Sequence, residues 1–199
     1  MATEKMKKVL ELADEKGIIR PKEVEEQGLP RKYIYRLVKE GKLEKISRGM
    51  YKIPGKNFSV DETMVEACKR IPDGVVCLLS ALQFHRMTTQ LPNQIWMAIE
   101  QESWKPEVDL PVKFIRMSGD SYGKGVETHE VEGVTLNIFS PAKTVADCFK
   151  FRSKIGTDVA IESLKEYREE KKGTMDEVWK YAKINRVHKV IKPYMESIS

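Results

Sequence analysis

The sequence predicts an α+β protein, with an amino-terminal winged helix-turn-helix followed by a mixed α+β domain that ends in several helices. Three observations predict it. Residues 3–53 carry three short helical periodicities and then a hairpin pattern. Residues 95–139 hold strand-like runs, and helix start signals recur after Ser140. Runs of strands followed by runs of helices point to segregated layers, not to alternating βαβ units.

In "TEKMKKVLELADEKG", Met6, Val9, Leu10 and Ala13 recur at helical spacing and form one apolar stripe. Thr3 is the expected N-cap and Gly17 the expected stop. "IIR" follows, and Pro21 opens "PKEVEEQ" at an early helical position, where its missing N–H costs nothing. Gly28 ends that helix. The next, in "LPRKYIYRLVKEG", places Ile34, Leu37 and Val38 on one face, with Arg31, Lys32, Tyr35, Arg36 and Lys39 largely on the others. Two helices joined by a tight glycine-containing turn form a helix-turn-helix, whose second helix can enter a major groove.

"LEKISRGMYKI" then reads as a β-hairpin. Leu43 and Ile46 precede a Ser47-Arg48-Gly49 turn; Met50, Tyr51 and Ile53 follow it, and Gly49 supplies a positive φ. Tyr51 is expected in the core. Arg48 at the tip can reach a phosphate or a narrow minor groove. Between Arg31 and Lys52 eight basic residues face two acidic ones, a local +6 in a chain whose total is +5. The positive charge is therefore one patch. Duplex DNA is a dense row of negative charge that such a patch neutralises, releasing counterions. The expected DNA-binding residues are Arg31, Lys32, Tyr35, Arg36, Lys39, Lys42, Lys45, Arg48 and Lys52. The alternative for any one lysine is a solvated surface.

"PGKN", Pro54 to Asn57, breaks the periodicity and is the expected linker. It separates a DNA-binding domain at 1–55 from a second domain at 58–199. In the latter, "DETMVEACKRIPDG" reads as a helix with Val65, Cys68 and Ile71 on one side. "GVVCLLSALQFHRMTTQLP" begins as a buried apolar run and continues as a helix from about Ser80, the expected cap. "QIWMAIE", "VKFIRMS", "VETHEVEG" and "VTLNIF" read as strands, with a turn around Gly133. Ser140 caps and Pro141 opens the next helix. Others start at Thr157 and Thr174, where Glu177 completes a capping box. A last one, "KVIKPYMESI", is expected to be interrupted by Pro193.

Composition narrows the function classes. Hydrophobic residues make up 41% and charged residues 33% of 199, which fits one large or two small globular domains. Cys68, Cys77 and Cys148 form no C-x-x-C pair, and His85, His129 and His188 show no metal-ligand spacing. The opening residues lack a signal-peptide core, and the longest apolar run, around "VVCLL", is far short of a membrane span. A soluble cytoplasmic protein without cofactor, metal or membrane partner is expected. His85, Lys143, Asp147 and Arg152 are polar groups within apolar motifs. A nuclease or nucleotidyltransferase would need paired carboxylates for a metal, and no D-x-D accompanies Asp147. Lys143 and Asp147 stand four apart, as in a helical ion pair. "KEYREEKK" reads as a solvated helix face.

A family resemblance spans nearly the whole chain. "GLPRKYIYRLVKEGKLEKISRGMYKI" is similar to the winged helix of the AbiEi family, the antitoxins and autoregulators of AbiE-type toxin–antitoxin systems; Leu37, Gly41, Leu43, Arg48, Gly49 and Tyr51 carry the likeness. "SALQFHRMTTQLPNQIWMA" and "SPAKTVADCFKFRSKIGTDVAIESLKEY" resemble segments of the family's second domain. Pro30 stands where relatives often have a serine or threonine cap, and Arg86 follows His85 where glycine is typical. The resemblance implies a non-enzymatic repressor whose winged helix binds promoter repeats. It also implies a second domain that counters a nucleotidyltransferase toxin without a stable complex. A monomer is the expected state. The alternatives are a DNA-targeted enzyme and a plain ligand-sensing transcription factor.

Overall fold

A computed structural model of the protein describes residues 2–55, 62–131 and 133–198. Contacts divide the chain into two compact units. One comprises Met1–Glu66 with Glu130–Thr135, the other Ala67–His129 with Leu136–Ser199. The division falls later than the expected break between 55 and 58. Of the expected linker, Lys56 and Asn57 lie outside the described residues.

The amino-terminal unit opens with α1 (Ala2–Lys16), α2 (Pro21–Glu26) and α3 (Lys32–Lys39). The helix α1 already includes Thr3, whose side chain lies outside those described. A hairpin follows, β1 (Glu44–Ser47) and β2 (Met50–Lys52), antiparallel with Ser47 opposite Met50. The core of this unit is the stripe the sequence displays: Met6, Val9 and Ala13 from α1 meet Ile34 and Leu37 from α3 and Tyr51 from the hairpin. Then comes α4 (Glu62–Arg70), within which the division between the two units falls.

The carboxy-terminal unit contains β3 (Val75–Val76), α5 (Leu78–Phe84), β4 (Ile95–Glu100), β5 (Val112–Met117), α6 (Asp120–Gly123), β6 (Val126–Val131) and β7 (Val134–Phe139). The strands form one sheet in the order β5-β4-β3-β7-β6, with the tip of the β6–β7 hairpin grouped in the other unit. The sheet is mixed. β3 is antiparallel to β4 and parallel to β7, and β4 is parallel to β5 from Ile95↔Val112 to Glu100↔Met117. Helices α7 (Pro141–Lys150), α8 (Arg152–Ile155), α9 (Thr157–Glu169), α10 (Met175–Ile184) and α11 (His188–Ser197) complete the unit.

The capping signals hold where they are strongest. The Lys143 amide donates to Ser140 Oγ at 3.4 Å, and Thr174 with Glu177 forms the capping box. Two expectations fail. Helix α5 begins at Leu78, so Ser80 is not its cap; the buried Ser80 hydroxyl instead accepts from the Trp96 amide at 3.0 Å. Helix α11 runs through Pro193 without interruption. Proline removes one N–H donor there, but its φ suits a helix, and the buried Ile191 anchors the segment.

From Ala142 to Phe149 every residue of α7 is buried, including Lys143, Thr144 and Asp147. A helix apolar around most of its circumference belongs inside a core, and α7 packs against α5, α9 and α10. No helix among the described residues is long and apolar enough to cross a membrane.

Candidate nucleic-acid interface

The helix-turn-helix is fixed from below. Ile34 and Leu37 are fully buried, so the 3.6-residue period turns Arg31, Lys32, Tyr35, Arg36 and Lys39 outward, and all five are exposed. With Pro30 at its start the helix has no side-chain cap; the Tyr33 amide donates to Pro30 O at 3.1 Å and the Ile34 amide to Arg31 O at 3.0 Å. This tight turn presents Arg31 and Lys32 at the leading end of α3.

The hairpin is fixed from the side by a pairing that the sequence reading missed. Ile19 bridges Tyr51 in antiparallel fashion: the Ile19 amide donates to Tyr51 O at 2.9 Å and the Tyr51 amide to Ile19 O at 3.0 Å. The hairpin is thus a three-stranded edge in miniature, tied to the segment between α1 and α2. The signal available was the β-branched pair Ile18-Ile19, too short to read as a strand. Tyr51 is buried, as expected, and its ring meets Tyr35 edge-on at 6.3 Å. Burial pushes the Tyr51 phenol upward, and Tyr35 adds to the shift. Tyr35 is held in this way while 51% exposed.

The cations fall into three groups. Arg31 pairs with Glu25 at 2.9 Å, Arg36 with Glu40 at 3.2 Å and Lys42 with Glu40 at 3.1 Å. The neighbouring Lys42 and Arg36 hold the Glu40 carboxyl below its usual range, against the smaller opposing effect of desolvation between them in size. These pairs are exposed and screened by solvent, so an arriving phosphate can displace them. Lys32, Lys39, Lys45 and Arg48 are exposed and make no ion pair with any described residue. Lys52 is the correction. It is buried and pairs with Glu62 at 2.7 Å and Glu44 at 3.5 Å. All three residues of β2 are buried, so neither face of the strand turns Lys52 to solvent.

The carboxy-terminal candidates do not assemble into an accessible site. Lys143 and Asp147 form the expected ion pair, but both side chains have no solvent exposure. Asn185 Nδ2 donates to Asp147 Oδ1 at 2.7 Å, Ser121 Oγ bonds Asn185 Oδ1, and Lys150 Nζ reaches Ser121 at 2.7 Å. Burial pushes the Asp147 carboxyl up, and Lys143 pulls it back. His85 Nε2 lies 2.8 Å from Phe139 O, and Arg152 Nη1 donates to Phe149 O at 2.8 Å. No group of three or more His, Cys, Asp or Glu among the described residues could hold a metal ion.

A family model described as "Transcriptional regulator, AbiEi antitoxin" matches residues 7–54, which span α1 to the end of the hairpin. The amino-terminal segment is thus similar to AbiEi regulators over about a quarter of the chain. The AbiEi match brings the role of an antitoxin and transcriptional regulator, and it covers every residue of the outward cationic set. It stops at Pro54, before α4, so the buried network of α7 lies outside it. No curated protein matches the chain.

Proposed function

We propose that the chain is the antitoxin and autorepressor of an AbiE-type operon in the cytoplasm. Its helix α3 enters the major groove of promoter DNA, and its hairpin lies along the backbone as a wing. The observation that carries this reading is the outward set. Burial of Ile34 and Leu37 forces Arg31, Lys32, Arg36 and Lys39 to one exposed side, and Lys42, Lys45 and Arg48 are exposed on the segment that follows. Arg31 and Arg36 are the candidates for base edges, since arginine to guanine is the commonest specific contact. Lys39, Lys42, Lys45 and Arg48 serve phosphates, and Tyr35 packs on the sugar-phosphate backbone. Lys52 has no part in the contact. The second domain, proposed to span 58–199, counters a nucleotidyltransferase toxin without forming a stable complex with it.

The test is a gel-shift titration of the chain's own promoter with Arg31→Glu/Arg36→Glu/Arg48→Glu. Binding is expected to be lost while the melting temperature stays unchanged, because all three side chains are exposed. Retained affinity would overturn the assigned face. Wild-type binding should also weaken steeply with salt, by a log–log slope of about −0.9 for each phosphate neutralised. The same full-length variant should still rescue cells from the cognate toxin, because the reading assigns rescue to the other unit.

A further inference from the structure

The carboxy-terminal unit carries an open groove that the DNA-binding reading does not use. The connection from β4 to β5 runs out over residues 101–111 and encloses, with β5, a space of about 840 Å³. Val112, Phe114 and Arg116 line it from the strand; their spacing of two puts them on one side of β5. Trp104 lines it from the loop and is 86% exposed. A tryptophan left this far in water is unusual for a side chain of its size. β5 is also the edge of its sheet, so one row of its backbone groups has no strand beside it.

The charge around the groove has a sign. Glu102, Glu107 and Asp109 line it as carboxylates, and none forms an ion pair with a described residue. Two cations oppose them. Arg116 is committed to the loop backbone, where its Nη1 donates to Ser103 O at 2.9 Å, to Glu100 O at 3.4 Å and to Gln101 O. Lys105 Nζ lies over the Phe114 ring at 5.7 Å. The arginine thus ties the loop backbone to β5, beside an apolar strand face, an exposed tryptophan and an acidic rim.

We propose that this groove docks a cationic, apolar peptide segment of a partner protein. Apolar side chains of that segment cover Phe114 and Val112. A lysine or arginine stacks on the Trp104 face, where a ring attracts a cation, and the carboxylates at the rim neutralise its neighbours. The free edge of β5 accepts the segment's main chain as an added strand. Nucleic acid and anionic membrane are the wrong partners here, because phosphate would meet three carboxylates. The proposal is independent of the DNA-binding reading and of the identity of any toxin.

The test uses the full-length chain and fluorescein-labelled hexapeptides that alternate Lys or Arg with Leu or Phe. Fluorescence anisotropy should rise and saturate with these peptides and stay flat with versions carrying Glu in place of each cation. Trp104→Ala should weaken binding about tenfold or more, as loss of an aromatic anchor does. Glu102→Lys/Glu107→Lys/Asp109→Lys should reverse the preference toward the glutamate peptides. Both variants change exposed side chains, and a circular-dichroism melt checks that each is folded. The proposal is overturned if glutamate peptides bind the wild type equally, or if neither variant alters binding. Absence of binding by every cationic peptide at about 1 mM would also end it. Competition by free argininamide at the same concentration would mean a small-cation site instead. Self-association of the wild type that Trp104→Ala abolishes would mean that a second copy of the chain fills the groove.

Discussion

Helices α2 and α3 of the amino-terminal unit and α5, α9 and α10 of the other end with one hydrogen-bond pattern and different residues. In the amino-terminal unit the Gly28 amide donates to Glu25 O at 2.9 Å and the Leu29 amide to Val24 O at 3.1 Å; Gly41 and Lys42 repeat this on Val38 and Leu37 at 3.0 and 2.9 Å. In the carboxy-terminal unit the leading position is basic. Arg86 and Met87 close α5, Lys171 and Lys172 close α9, and Arg186 and Val187 close α10, at 2.8 to 3.1 Å. Gly28 and Gly41 have φ of +70° and +68°; Arg86, Lys171 and Arg186 have +58°, +50° and +58°. Glycine enters this region without strain, and a side chain pays roughly 1–2 kcal/mol. A cation at a helix C-terminus recovers about 0.3–1 kcal/mol. The motif is thus set by backbone geometry, and only its glycine version announces itself in a sequence.

The units differ as sharply in where they put charge. The amino-terminal unit keeps the cations of α3 and of the hairpin turn exposed and buries only Lys52 among its expected DNA-binding residues, whereas the other unit places Lys143 and Asp147 inside its core. Removing one partner of a buried pair leaves an uncompensated charge, at about 3–5 kcal/mol. Asp147→Ala is therefore expected to have the largest effect on stability, confined to the carboxy-terminal unit. Trp96, Trp104 and Trp179 all belong to that unit, so urea unfolding followed by tryptophan fluorescence reads it selectively. Lys143→Met/Asp147→Leu should regain most of the loss, since an apolar pair of similar volume is often neutral. A small effect of Asp147→Ala would mean that the pair is not sealed from water.

The next effect in size tests the glycine side of the comparison. A Cβ on Gly41 would meet nothing within 4 Å, so substitution there strains the backbone alone. Gly41→Ala should destabilise the amino-terminal unit by about 1 kcal/mol. Gly41→Lys should lose less, by about 0.3–1 kcal/mol, if the cation interacts with the end of α3. Thermal melts followed by far-ultraviolet circular dichroism compare the two. An alanine no worse than lysine would remove the helix-end explanation for Arg86, Lys171 and Arg186.

The contrast also explains what could be read from residues alone. Helical stripes such as Met6-Val9-Ala13 and Ile34-Leu37 are local, and a one-sided core makes them periodic. The outward set of α3 follows from the same period. The pairing of Ile19 with Tyr51 joins residues 32 positions apart, and a single bridge has no periodicity to display. The charge of Lys52 reads as outward in the sequence, whereas β2 is buried along its whole length, on both faces, which a three-residue strand gives no pattern to reveal. In α7, an i,i+4 ion pair reads identically on a surface and in a core; the apolar residues on all its other sides were the missed signal. The β4–β5 groove is assembled by a loop with no periodic pattern, so nothing in its residues announced a concave surface.

A smaller effect separates the units by pH. His85, His129 and His188 all lie in the carboxy-terminal unit. Burial holds the His85 imidazole below its ordinary 6.5, despite the Phe139 carbonyl and Glu127, which favour the proton; His129 and Lys172 oppose it. The folded state thus binds this proton less tightly than the unfolded state does. The stability concerned is complete above pH 6.5 and is lost as pH falls through the depressed folded value. His85→Gln keeps a donor for Phe139 O and should flatten the fall in melting temperature between about pH 7 and about pH 5. An unchanged slope would place the sensitivity in another group.

The smallest expected effect sharpens the comparison most. Arg86→Gly relieves a left-handed residue, a gain of about 1 kcal/mol. It also gives up the charge at the end of α5, about 0.3–1 kcal/mol, and loosens the unfolded chain, about 0.4–1 kcal/mol. These terms nearly cancel, so the variant should sit within about 0.5 kcal/mol of wild type. The Met87 amide would still reach Leu82 O, and Met87 is fully buried on its own account. Tryptophan-detected urea unfolding resolves a difference of that size when the two proteins are run in parallel. A clear stabilisation would show that Arg86 is held there at a loss, and that its exposed side chain has a use other than closing the helix. A near-zero result, set beside a larger penalty for Gly41→Ala, would show why two helix ends with the same geometry can tolerate opposite residue types.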